Sequence, residues 1–155
     1  EQIENEYLDG NYNVKALENF EQIINRFPDS KYARDSEQKI KFINENIAAK
    51  HMNIAKFYLD QKKLLAALNR YNIVINNYSK SKFTPEALYR TVEIYLYLGM
   101  REDAKKVAAV IAHNYPKSKW YDYAYNLINK DNIKKNKPSL VKKISNIFNR
   151  NEANK

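Results

Sequence analysis

The stretch NYPKSKWYDYAYNLI, Asn114 to Ile128, crowds a tryptophan among several tyrosines just after a proline and a serine. Two earlier stretches carry the same signal: RFPDSKYA from Arg26 and NYSKSKFTPEA from Asn77. Aligned on Ala16, Ala67 and Ala104, the three agree at distant offsets. Nine residues earlier stand Tyr7, Tyr58 and Tyr95; eleven later stand Phe27, Tyr78 and Tyr115. Pro28, Ser79 and Pro116 follow, then Ser30, Ser81 and Ser118, Lys31, Lys82 and Lys119, and Tyr32, Phe83 and Trp120. Self-similarity at fixed offsets is the mark of a repeat architecture.

Each copy predicts helix, turn, helix, turn. After the alanine, apolar residues fall at helical spacing: Leu17, Phe20, Ile23, Ile24 and Phe27 in the first copy, Leu68, Tyr71, Val74, Ile75 and Tyr78 in the second. The third copy has Val107, Ala108, Ile111 and Tyr115. The small alanines allow close helix approach, and the large residues fill the space below. Proline ends the unit, and the serine two residues on is placed to cap the next helix. Thr84–Pro85 offers a second start in that region, with proline at the first helical position. On this pattern Trp120, Tyr121, Ala124, Tyr125 and Ile128 form the inward face of a last, sealing helix.

These features resemble the tetratricopeptide repeat, a helix pair of about 34 residues. The resemblance implies an all-α helical solenoid. Ser79 departs from the closing proline, Ala108 from the usual large aromatic, and Glu4, Ala55 and Val92 from the glycine of the first helix. The alanine spacings are 51 and 37, so the first interval carries extra chain. Between Ser30 and Asp60 there is no Gly or Pro, and Ile40, Ile43, Ile47, Ala48, Met52, Ile54 and Tyr58 recur at helical intervals. One unusually long helix is expected there, with two helices and an unmarked joint as the alternative. About three repeats therefore occupy residues 1–130, followed by a basic linker and amphipathic segment at 131–155.

The net charge is +9, but residues 130–155 hold +6 of it, which leaves the repeats nearly neutral. Without cysteine there is no disulfide, thiolate nucleophile or cysteine zinc site. His51 and His113 belong to no metal-spaced pattern, and Glu102–Asp103 suits a first helical turn. Gly10 and Gly99 are expected at helix ends, not in a phosphate-binding loop. No nucleophile, base or cofactor motif assembles, so catalysis and cofactors are not expected. Arg70, in AALNRYNIV, is either a solvated arginine or a guanidinium offered to a partner carboxylate. In the tail, Leu140, Val141, Ile144, Ile147 and Phe148 share a helical stripe, fit to fold back, dock on a partner or lie on a membrane. Leu140, Ile144 and Phe148 are its candidate contacts.

The wording of AALNRY, EALYRTVEIYLYLG, DAKKVAAVIAHNYPKSKW and YAYNLI resembles the BamD family, lipoproteins of the outer-membrane β-barrel assembly (BAM) machinery. The resemblance runs over roughly residues 5–130 and implies that these repeats are the C-terminal portion of a longer repeat array. It implies a non-catalytic scaffold at the periplasmic face of the outer membrane, held in the full-length protein by a lipid anchor upstream of this chain. It also implies docking on the periplasmic POTRA region of BamA, with Arg70 in the docking half and other BAM lipoproteins as further partners. The alternatives are another periplasmic repeat adaptor for cell-wall or division partners, or nucleic-acid binding through the basic tail; the resemblance leads us to expect no nucleic acid.

Overall fold

A computed structural model describes residues 2–136, and the side chains of 13–130. Every regular element among the described residues is a helix. α1 spans Gln2–Arg26, α2 Lys31–Asp60, α3 Leu64–Asn77, α4 Thr84–Tyr97, α5 Arg101–Asn114 and α6 Lys119–Asn136. The described residues divide into two compact units, the first ending at Ala87 and the second beginning at Leu88. In the first, α2 packs on both α1 and α3; in the second, α5 packs on α6.

After Ser30, Lys31–Asp60 is one helix of 30 residues, so the expected single long helix holds and the jointed alternative does not. Ser30 starts it in an extended conformation and its Oγ accepts from Ala33 N at 3.0 Å, the expected cap. The α2 face turned inward is lined by small residues, with Ala33, Ser36, Ala48 and Ala55 buried beside Met52. Across from it, α3 buries Ala67, Tyr71 and Val74. In the second unit Leu88, Val92 and Ile94 of α4, Ala104 and Ile111 of α5, and Ala124 of α6 are buried.

The repeat alignment reappears as two superimposable turns. After α2, Lys63 N donates to Tyr58 O at 2.9 Å and Lys62 N to Leu59 O at 2.9 Å. After α4, Met100 N donates to Tyr95 O at 2.8 Å and Gly99 N to Leu96 O at 3.1 Å. Both are Schellman closures, in which one left-handed residue lets two orphan carbonyls be satisfied. That residue is Gly99 at φ 77° in one and Lys62 at φ 59° in the other, each five positions before its repeat alanine. The aligned tyrosines thus supply the first carbonyl of each closure as well as a ring.

This geometry predicts opposite outcomes for two substitutions. A side chain in the left-handed region costs about 1–2 kcal/mol, less the unfolded-state entropy that glycine adds. Lys62→Gly should therefore raise stability by about 0.5–1 kcal/mol, and Gly99→Ala should lower it by about 1 kcal/mol. No atom lies within 4 Å of an added Cβ at Gly99, so backbone alone sets that loss. Urea unfolding of both variants checks the pair; two changes of the same sign would contradict the shared turn.

The first copy departs from expectation. Gly10 does not end a helix, because α1 runs unbroken from Gln2 to Arg26. Glycine tolerates the helical conformation at a cost of only about 1 kcal/mol, so it permits a turn there without imposing one. The third-copy stripe on α6 also needs correction. Ala124 is buried and Trp120, Tyr121 and Ile128 are half-buried, but Tyr125 is 58% exposed. Each residue advances about 100° around the helix, so Tyr125 falls at the edge of a stripe centred on Ala124. Likewise Phe27 and Tyr32 are exposed, whereas their repeat counterparts Tyr78, Tyr115, Phe83 and Trp120 are half-buried.

Candidate docking surface

Among the described residues, the polar side chains pair along helix faces and across turns. Glu102 and Asp103 open α5 and pair with Lys105 and Lys106 one turn on, at 2.9 and 3.0 Å. His51 is half-buried in α2 with its ring 6.2 Å from that of Tyr78, and His113 is exposed near the end of α5. Among the described residues no three His, Cys, Asp or Glu side chains come together as a metal site.

Arg70 lies on α3 between buried anchors. Ala67 and Val74 are fully buried and Tyr71 nearly so, which fixes the rotation of the helix about its axis. Arg70 is half-exposed as a result, and makes no hydrogen bond or ion pair to another described residue. An arginine held on a packed helix with its five donors uncommitted to any described residue is suited to bidentate capture of a carboxylate from outside.

Beside α2 runs a groove of about 490 Å³, with Ile40 and Tyr78 as its apolar surface and Glu37, Lys41, Asn44 and Lys80 among its polar lining. Glu45 fixes one wall. Its Oε2 accepts from Ser81 Oγ at 2.8 Å and its Oε1 from Lys82 N at 3.0 Å, so one carboxylate ties the α3–α4 turn to the middle of α2. Thr84 Oγ1 donates to Tyr78 O at 2.9 Å and closes the same turn. The α4 start is therefore Thr84, the second of the two starts that the sequence offered. Ser81 serves Glu45, and its Oγ accepts only from Phe83 N at 3.2 Å. Sequence reasoning missed Glu45, since its partners stand 36 and 37 residues away. Burial holds the Tyr78 hydroxyl above its ordinary pKa.

The second unit gathers aromatics between α4 and α6. Tyr89 packs 5.3 Å from Trp120 and 5.9 Å from Tyr123, while Trp120 and Tyr123 meet edge to face at 5.6 Å. Glu93 receives the Tyr89 hydroxyl on one oxygen at 2.8 Å and Arg90 Nη1 on the other at 2.7 Å. Burial first, then that bond to Glu93, pushes Tyr89 up to about 12. Arg90 stands over the Tyr89 and Trp120 rings at 5.5 and 5.7 Å, and Lys119 Nζ lies 4.9 Å from the Trp120 centroid. Tyr123, absent from the predicted stripe, belongs to this cluster because it stands three residues from Trp120, on the same side of α6. The tail candidates Leu140, Ile144 and Phe148 lie outside the described residues.

Comparison with known proteins adds a family. The family model YfiO, outer membrane lipoprotein, matches residues 1–111. Among curated relatives, the outer membrane protein assembly factor BamD of Rickettsia prowazekii is 49% identical over 113 residues, covering 73% of this chain and 45% of that protein. BamD of Caulobacter vibrioides is 38% identical over 120 residues, covering 77% of this chain and 39% of the relative. BamD of Neisseria meningitidis is 28% identical over 113 residues, with 73% and 42% covered. The chain thus spans less than half the length of these relatives.

Proposed function

The chain belongs to the YfiO family of outer membrane lipoproteins, and from that premise we propose that it is a non-catalytic scaffold in outer-membrane protein assembly, which docks the periplasmic POTRA region of BamA. Its place of work is the periplasmic face of the outer membrane, where the family belongs. The repeat helices hold a partner domain in a set orientation, and specificity comes from shape and a few charged anchors. Arg70 is the anchor, since it is half-exposed, rigidly mounted and uncommitted to any described residue. A carboxylate of the partner completes it as a charge-assisted, bidentate pair.

Calorimetric titration with the purified POTRA region of the same organism's BamA tests this. A hydrogen-bonded charge pair contributes about 1.5–3 kcal/mol, so Arg70→Ala should weaken binding by about 10–100-fold with the helical circular dichroism unchanged. Equal affinity for both proteins would move the interface away from Arg70. No binding by either would remove the docking function from this chain.

A further inference from the structure

We propose that the stripe of Leu140, Val141, Ile144, Ile147 and Phe148 folds back on its own chain and covers the α4–α5 turn, where Tyr97, Leu98 and Met100 are exposed. The backbone of that turn does not require apolar side chains. Its counterpart between α2 and α3 closes through the same pair of bonds, yet carries Asp60, Gln61 and Lys63 at the aligned positions. Those three polar residues are exposed, as suits a turn in water. Tyr97 is 78% exposed, so its ring finds little to pack on within the unit. Apolar side chains gathered at one exposed place, unlike single scattered ones, mark a surface that another segment covers.

Chain direction selects the occupant. Residues 98–100 join α4 to α5, residues 115–118 join α5 to α6, and α5 packs on α6. Two reversals therefore set α6 running the same way as α4. Tyr89 meets Trp120 at 5.3 Å and Tyr123 at 5.9 Å, which fixes the register between those two helices. Tyr97 follows Tyr89 by the same interval that takes Trp120 to Ile128 and Tyr123 to Asp131, so the α4–α5 turn lies level with the last part of α6. α6 ends at Asn136, roughly 10 Å beyond that level at 1.5 Å per residue. Pro138 comes next but one, and proline disfavours helix at the residue before it, so the sequence favours a change of direction there. Residues 137–139 reach about 10 Å when extended, enough to cross to a neighbouring helix axis. A helix over 140–148, about 13 Å long, then spans the overshoot back to the turn. On so short a connection the stripe meets the turn at an effective concentration on the order of millimolar, which favours it over a partner in solution. The contact is internal to the chain, so it stands or falls independently of docking at Arg70.

Hydrogen exchange on the full chain tests it. Amides of 140–148 should exchange at least about tenfold slower than in a free synthetic peptide of the same sequence. The disrupting variant copies the polar turn, with Tyr97→Asp, Leu98→Gln and Met100→Lys together and Gly99 kept. The first unit closes on those same residues, so α4, α5 and α6 should keep their own protection while the tail loses its share. A second readout works from the other side. The chain has no cysteine, so Met100→Cys supplies a single thiol; adding Ile144→Asp should speed its labelling by about tenfold. Tail amides as fast as the free peptide, tail protection that survives the polar turn, or labelling indifferent to Ile144→Asp would each overturn the proposal. Protection that rises with protein concentration would overturn it in favour of a second copy. Protection that appears only with phosphatidylglycerol vesicles would overturn it in favour of a membrane contact.

Discussion

Tyr71→Ala is expected to lower the unfolding free energy by about 3–5 kcal/mol, the range for deleting a buried aromatic side chain. Tyr71 is 2% exposed and stands four residues after Ala67, which is fully buried on the same helix. Removing the ring leaves a cavity that the surrounding side chains can close only in part. At about 2–4 °C per kcal/mol for a chain of this size, the melt should fall by roughly 10 °C. Lys117→Ala, exposed in the α5–α6 turn, should change stability by less than about 0.5 kcal/mol. Equal melts for the two would break the repeat alignment, since that alignment is what assigned one inside and the other outside.

The inside of each repeat was legible because helix periodicity and helix-ending chemistry are local. Ala67, Tyr71, Val74, Ala104 and Ile111 fall on the predicted stripe, and all five are buried. The turn that Gly99 makes was readable from its glycine. The matching turn at Lys62 was not, since lysine carries no left-handed signature, and only the alignment with Gly99 would have found it. Phe27 and Tyr32 are exposed although their repeat positions match half-buried residues. Repeat offsets say which residues are equivalent, but burial depends on what lies opposite, and the equivalents diverge from exposed to half-buried. For the candidate surfaces, Arg70 was singled out by type and helical position. The Glu45 clamp and the Arg90–Glu93–Tyr89 group were not, the first because it spans 36 residues and the second because its meaning depends on Trp120 arriving from another helix.

Asn46→Pro is the largest single test of the long helix. Asn46 is exposed at the middle of α2, so the substitution alters no packed side chain and acts through the backbone alone. Proline there deletes the bond from residue 46 N–H to the carbonyl of Phe42, and its ring collides with that carbonyl, for about 3 kcal/mol or more. It also drives the preceding residue out of the helical region. That residue is Glu45, whose carboxylate ties the α3–α4 turn at Ser81 and Lys82, so the damage should extend to the groove wall. Asn46→Ala, a better helix former at the same exposed site, should instead hold stability or raise it by about 0.5 kcal/mol. If residues 30–60 were two helices jointed near the middle, the proline would be tolerated as a joint residue and the two variants would melt alike. A gap of more than about 3 kcal/mol between them in denaturant unfolding supports one continuous helix, because only an interior position is charged the full cost of a missing donor.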